Sequence, residues 1–387
     1  MKRGILLLAA VTVCFAMGVF AQAPDIVWSQ TFGGPNDDIG YDVKRTTDGG
    51  FIICGMTESK GRGGKDAWVI KLDAEGQLEW DKTYGDKGDD VAHSIIQTRD
   101  GGYAFAGYTT SKNRRGRQDV WLVKLDSAGN QVWEGVYGGQ RNDVGNSLIQ
   151  TWDDNFVIAA TTRSYGPGRN SVWVMKLDDR GRRLWRRTEG GNRDDFGHSV
   201  AEDLRDSSVV IAGSTASFGN GPSSFWLVKI SGEGRRVWRK DYGTENREVA
   251  NHLTLKSTGE YILSGYTQPR GERYRSLHVV GFTPESWDDW EATYGTLRDE
   301  EATGSAETPD GGVVVVGHTN SIGEGHYDIW LMKFDNEGNR LWQDTYGGIN
   351  EDLGHAVISV GANEFVVVGS TMSDGAGRRD VWVLYLK

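Results

Sequence analysis

The sequence predicts an all-β fold: a seven-bladed β-propeller of four-stranded antiparallel blades. One observation is a period. Tryptophan recurs at Trp28, Trp80, Trp133, Trp185, Trp238, Trp290 and Trp342, at spacings of 52 or 53 residues. A second series, Trp68, Trp121, Trp173, Trp226, Trp330 and Trp382, runs in step with it, and His278 stands in once. Together the two series take 13 of the 15 tryptophans, so a repeated supersecondary unit sets the pattern. The other observation is the content of each period. The second period holds four strand-like runs, at 91–98, 103–109, 119–125 and 131–137, here named A, B, C and D. Arg99-Asp100-Gly101-Gly102 joins A to B, and residues 126–130 join C to D, both with hairpin-turn chemistry. Four antiparallel strands repeated radially make a propeller blade. A linear β-solenoid is the competing architecture, but its coils are usually shorter than about 50 residues.

Residues 1–21 read as a secretory signal peptide, with Lys2 and Arg3, an apolar run from Ile5 to Phe20, and a small residue, Ala21, before Gln22. A membrane anchor is the alternative, but the apolar run is short and the chain turns polar at once, so no membrane insertion of the mature chain is expected. Export leaves Cys54 as the single cysteine, which cannot form an internal disulfide. Without Lys2 and Arg3 the chain carries 41 basic against 54 acidic side chains, a net charge of −13, which argues against nucleic acid as a partner.

From residue 24 to 387 the pattern reads as one propeller domain, expected to work as a monomer. Blades begin near 39, 91, 144, 196, 249, 301 and 353. The last lacks a D strand, because Trp382 would need a partner at 394 and the chain ends at Lys387. The segment Asp25-Ile26-Val27-Trp28 is a surplus D strand, so the N-terminal strand is expected to complete the last blade and to bury Trp28 beside Trp382. Runs such as Phe51-Ile52-Ile53 and 313–316 are continuously apolar, as strands covered on both faces are.

The motif W-x-x-T-Y-G-G, then D-G-G-Y with a following G-x-T, then D-x-W-x-x-K-x-D-x-x-G resembles the tryptophan-rich β-propeller repeats of exported bacterial proteins, across essentially Asp25 to Lys387. The resemblance implies the fold and an extracytoplasmic location, secreted or periplasmic, and it transfers no catalytic residue. A looser similarity is to the tryptophan-docking propellers of quinoproteins, carried by Asp73, Gly76 and Trp80, with the Asp-to-Gly spacing one residue shorter here.

Tight A–B and C–D turns share one face, and the longer D–A and B–C loops share the other, where function is expected. Ten residues after each D-strand tryptophan stands an acid: Asp38, Asp90, Asp143, Asp195, Glu248, Glu300 and Asp352. A residue type repeated in every blade points to a structural task, namely accepting loop N–H groups. Ca²⁺ is the alternative occupant of this ring, and otherwise no cofactor is expected. Three residues on come Tyr41, His93, Asn146, His198, Asn251, Thr303 and His355, which should ring the channel mouth. A metal held by His93, His198 and His355 would need them to converge on one ion; a hydrated lining is the simpler expectation. Basic B–C loops, with Arg114, Arg115, Arg117, Arg270, Arg273 and Arg275, suggest a patch for an anionic glycan or acidic partner. The fifth unit departs furthest from the repeat, with His278 for Trp, Gly281 for Lys, and Pro284-Glu285-Ser286-Trp287 in the turn.

No linear nucleophile–base motif is present. The expectation is a non-enzymatic binding or scaffold protein that takes a protein or glycan partner on its long-loop face. Alternatives are an extracellular polysaccharide-active enzyme with its site at the channel mouth and a quinoprotein-like redox enzyme.

Overall fold

The computed structural model describes residues 22–112, 116–283, 286, 289–296 and 298–387. The expected signal peptide, Arg114, Arg115 and most of the unusual fifth-unit turn lie outside them. Among the described residues there is no helix, and so none long and apolar enough to cross a membrane. The chain forms seven four-stranded antiparallel sheets. In blade 1 the strands are A (Asp38–Arg45), B (Phe51–Thr57), C (Asp66–Leu72) and D (Leu78–Tyr84). In blade 2 they are Asp90–Gln97, Tyr103–Thr109, Asp119–Leu125 and Gln131–Tyr137, so the inferred B, C and D runs are reproduced and A starts one residue earlier.

Burial explains the composition of the strands. Every residue of strand C is buried in blades 1, 2, 3, 4 and 6. Outer D strands alternate exposed and half-buried positions, as one-sided strands do. Seven hydrophobic clusters fill the seven blade interfaces, so each sheet is sandwiched between its neighbours.

The N-terminal strand, Ile26–Phe32, is the outer strand of blade 7 and pairs antiparallel with its C strand, Asp380–Leu386. The ring therefore closes as the repeat count requires. The neighbour of Trp28 differs from expectation. Trp28 lies opposite Tyr385 and stacks on it with ring centroids 5.5 Å apart, while Thr31 lies opposite Trp382. A pairing shift between Ile26 and Trp28 and a strand that runs four residues past Trp28 produce this offset. The Trp382 indole N–H donates instead to Ser29 Oγ at 2.8 Å. Trp28 packs on blade 1: a Cβ on Gly76 (φ +79°) would sit 2.8 Å from its indole. The same contact recurs between Trp80 and Gly129, so the turn glycine serves both its backbone angle and the approach of the neighbouring tryptophan.

Candidate functional site

The inner A strands all break register at one point. Gly40 faces Gly55 and Asp42 faces Cys54, which leaves Tyr41 unpaired. His93, Asn146, His198, Asn251, Thr303 and His355 are skipped in the same way. Each residue expected at the channel mouth is thus the extra residue of a β-bulge, a device that re-aims a side chain. In six blades the B-strand glycine of the G-x-T motif lies at the bulge, where a Cβ on Gly55 would lie 1.8 Å from the Ile39 carbonyl oxygen, and Ala160 takes the position in blade 3. Sequence spacing located the ring but not the bulge. Its only trace in the sequence was that recurring glycine.

Five of the seven mouth residues reach the next blade's main chain. Asn146 Nδ2 donates to Gly197 O at 2.6 Å, Asn251 Nδ2 to Ala302 O at 2.8 Å, and Thr303 Oγ1 to Gly354 O at 2.8 Å. His93 Nδ1 meets Gly145 O and His198 Nδ1 meets Ala250 O, each at 2.9 Å. A carbonyl only accepts, so both Nδ1 atoms carry the proton and each Nε2 is left as an acceptor in the neutral ring. Burial lowers the pKa of both histidines and keeps them neutral. Tyr41 stands between His93 and His355, with centroids 5.4 and 5.5 Å away, and burial pushes its phenol up to about 12. His93, His198 and His355 belong to blades 2, 4 and 7, and no cluster of three or more metal-ligating side chains occurs among the described residues. The mouth residues line a cavity of about 360 Å³, where Asp42, Lys44 and His252 join them. Lys44 pairs with Asp42 at 2.5 Å.

The seven loop acids are buried, at 0–2 % exposure, inside their own loops. Asp143 accepts from Gly139 N at 2.9 Å, from Ser164 Oγ at 2.6 Å and from the Thr162 hydroxyl. Asp38, Asp195 and Asp352 repeat the N–H and serine contacts at 2.7–2.8 Å. Glu248 takes Thr244 N and Oγ1, and Glu300 takes Thr296 N and the Ser321 hydroxyl. Each acid ties its D–A loop to its own blade's B–C loop or to itself. The opening acid of several C strands adds a second buried carboxyl. Burial raises the pKa of Asp66, Asp328 and Asp380, and the loop acid of the following blade adds to it.

Of the expected basic patch, Arg114 and Arg115 lie outside the described residues, and Arg117 is exposed. Arg275 forms an ion pair with Glu301 and lies over the Tyr266 ring at 4.7 Å, while Arg273 lies 5.7 Å from the Tyr274 ring. Arg270 is exposed. His278 occupies a blade-interface slot, 6 % exposed, with Nδ1 2.8 Å from Thr293 Oγ1. The departure at His278 is therefore internal and offers no surface to a partner.

Two outer grooves flank the ring. One, of about 690 Å³ on the tight-turn face, is lined by Arg99, Lys124, Asp126 and Trp133, and its two bases pair with Asp154 and Asp100. The other, of about 460 Å³ on the long-loop face, lies between blades 4 and 5 and is lined by Phe196, His198, Pro222, Arg247 and Tyr266.

No protein-family model and no curated protein matches the chain. Solved structures do. A protein of unknown function from Dyadobacter fermentans is similar at 8 % identity and TM-score 0.50, over 95 % of this chain and 100 % of that one. A puromycin hydrolase is similar at 15 % identity and TM-score 0.53, over 87 % of this chain and 51 % of the hydrolase, so this chain spans about half of its length. A protein of unknown function from Bacteroides caccae is similar at 11 % identity and TM-score 0.46, over 76 % of this chain and 93 % of that one. At these identities the likeness is one of fold.

Proposed function

We propose that the chain is an exported propeller, secreted or periplasmic, that binds a protein or glycan partner through its long-loop face and catalyses no reaction. The observation that carries this reading is how the mouth uses its polar groups. His93 and His198 are tied to the next blade's carbonyls, and the seven acids are buried in their own loops. Groups so engaged hold the ring rigid, and what remains for contact is the loop surface above them. The export half of the proposal rests on Lys2, Arg3 and the apolar run that follows.

A glycan array and a pull-down from the cell-envelope fraction test the binding reading. The unmodified protein should retain a partner, and a variant with its D–A and B–C loops exchanged for those of an unrelated propeller should lose it. Turnover of a polysaccharide by the purified protein, abolished in His355→Ala, would overturn it in favour of an enzyme. N-terminal sequencing of the exported chain should find Gln22 first.

A further inference from the structure

The repeat also marks where the mouth departs from itself. The residue just before each loop acid is Asp37, Asp89, Asn142, Asp194, Arg247, Asp299 and Glu351. Six are acids or an amide, and the blade 5 member is a base. Three of the acids at this position answer donors from the preceding blade. Asp89 accepts from Lys65 N at 3.3 Å, Asp194 from Asn170 Nδ2 at 2.8 Å, and Asp299 from Arg275 N at 3.0 Å. At the blade 4–5 interface the facing residue is Ser223, whose hydroxyl donates to Glu248 O at 2.9 Å. None of the ion pairs among the described residues includes the exposed Arg247 guanidinium. The one acid on the same groove, Asp194, is paired with Arg169 at 3.1 Å.

The groove beside Arg247 departs from the repeat a second time. Phe196 stands where the other blades have Ile39, Val91, Val144, Val249, Glu301 and Leu353, and Tyr266 forms another wall. The volume of about 460 Å³ falls within the range usual for small-ligand clefts. His198 lines the groove, and its Nε2 is an acceptor because its Nδ1–H is held by Ala250 O at 2.9 Å. A fitting ligand therefore carries an anion for Arg247, a hydroxyl donor for His198, and a flat apolar face for Phe196. An acidic peptide side chain supplies the anion but no hydroxyl donor. A sugar acid supplies all three.

We propose that this groove binds a hexuronic acid residue of an acidic glycan, with its carboxylate on Arg247, its C–H face on Phe196 and a ring hydroxyl donating to His198 Nε2. This rests on the long-loop-face reading and names the ligand class for it. The test is isothermal titration of the full mature chain with galacturonate and glucuronate trisaccharides, a neutral galactose trisaccharide and hexaglutamate. Arg247→Asp restores the residue of four other blades, and Phe196→Val that of three others, so both variants should melt like the parent. At least one uronate trisaccharide should bind, more weakly at high salt because exposed charges are screened over about 8 Å at physiological ionic strength. Either substitution should weaken it by about tenfold or more, and the neutral trisaccharide should bind about tenfold more weakly than the acidic one. Absence of uronate binding, uronate binding unchanged by Arg247→Asp, or equally tight binding of hexaglutamate would overturn the inference. If the uronates fail while the envelope pull-down still depends on the long loops, only the ligand class falls. If the pull-down also fails, the binding-face reading falls with it.

Discussion

The ring closure can be broken at one residue. Trp28 is half-buried, stacked at 5.5 Å on Tyr385, tilted at 6.1 Å to Phe51 and pressed on Gly76 of the neighbouring blade. Truncating a fully buried tryptophan to alanine costs about 3–5 kcal/mol. Trp28 keeps one side in water, so Trp28→Ala should cost roughly half of that, about 2 kcal/mol, by area removed from contact. Deleting residues 22–32 should do far more. It removes the whole outer pairing partner of Asp380–Leu386, from Ile26 opposite Leu386 to Phe32 opposite Val381. It also removes the Ser29 acceptor of the Trp382 indole and the Pro24 carbonyl that the Tyr346 hydroxyl reaches at 2.8 Å. The exposed strand edge then becomes a template for association. Urea unfolding followed by tryptophan fluorescence should show a lower midpoint for Trp28→Ala with an unchanged slope. Size-exclusion chromatography of the truncated chain should show aggregation. A truncated chain that unfolds at the parent midpoint and stays monomeric would refute the argument that this strand holds the ring shut.

Three further outcomes are expected. Burial lowers the pKa of His252 to about 4 and of His355 to about 3, so the unfolded chain takes up protons first as pH falls through about 6.5. Stability present at neutral pH is then lost between there and the folded values; His355→Asn, the residue of blades 3 and 5, should flatten the loss in acid melts, and an unchanged slope would remove His355 from the account. Asp90→Asn weakens the bonds from Asp86 N at 2.9 Å and from the Thr109 and Ser111 hydroxyls, and should cost about 1–2 kcal/mol in denaturant midpoint; Ca²⁺ should leave the melting temperature alone, and a saturable rise would show that the loop acids take a cation. Asp380 has its pKa raised in the fold, so its ionisation destabilises the folded state as pH climbs above about 3.9 and through the folded value. Asp380→Asn should therefore melt higher than the parent at neutral pH, with the gain vanishing in acid, and a lower neutral melting temperature would contradict this.

Blade count, strand limits and closure were legible because they follow from spacing alone. A period of 52 or 53 residues leaves the last blade one strand short whatever the side chains touch. What spacing could not deliver was anything that depends on the facing blade. The tie from His198 to Ala250 O needs a bulge to aim the ring and a neighbour to receive it. The lysine of D-x-W-x-x-K is another case. Lys176 and Lys333 are buried cations that pair with Asp153 and Asp310 of the A–B hairpins at 2.7 and 2.5 Å. Asp153 is held down to about 2 because the Lys176 ammonium and the Thr151 hydroxyl outweigh the upward push of burial. Gly281 in blade 5 read as a lost lysine. In the fold the Trp290 indole occupies that space, and Lys256 with Glu260 at 2.6 Å takes over the ion pair within the blade.

The two departures at blade 5 separate what a broken repeat can mean. A substitution matched by a compensating one nearby, as Gly281 is by Lys256 with the repeat's own Trp290 indole filling the space, leaves no chemistry over. Arg247 is the opposite case. It reverses a charge opposite Ser223, a neutral residue as in three other blades, and no carboxylate on that side answers it. An exposed guanidinium without a carboxylate is cheap to keep in water, and its presence asks little of the fold. Its placement beside Phe196, the aromatic residue where five other blades carry Ile, Val or Leu, is what stability does not require. Repeated residues must satisfy the same neighbours in every blade, so they report on the ring; an uncompensated exception is where a test for a ligand belongs.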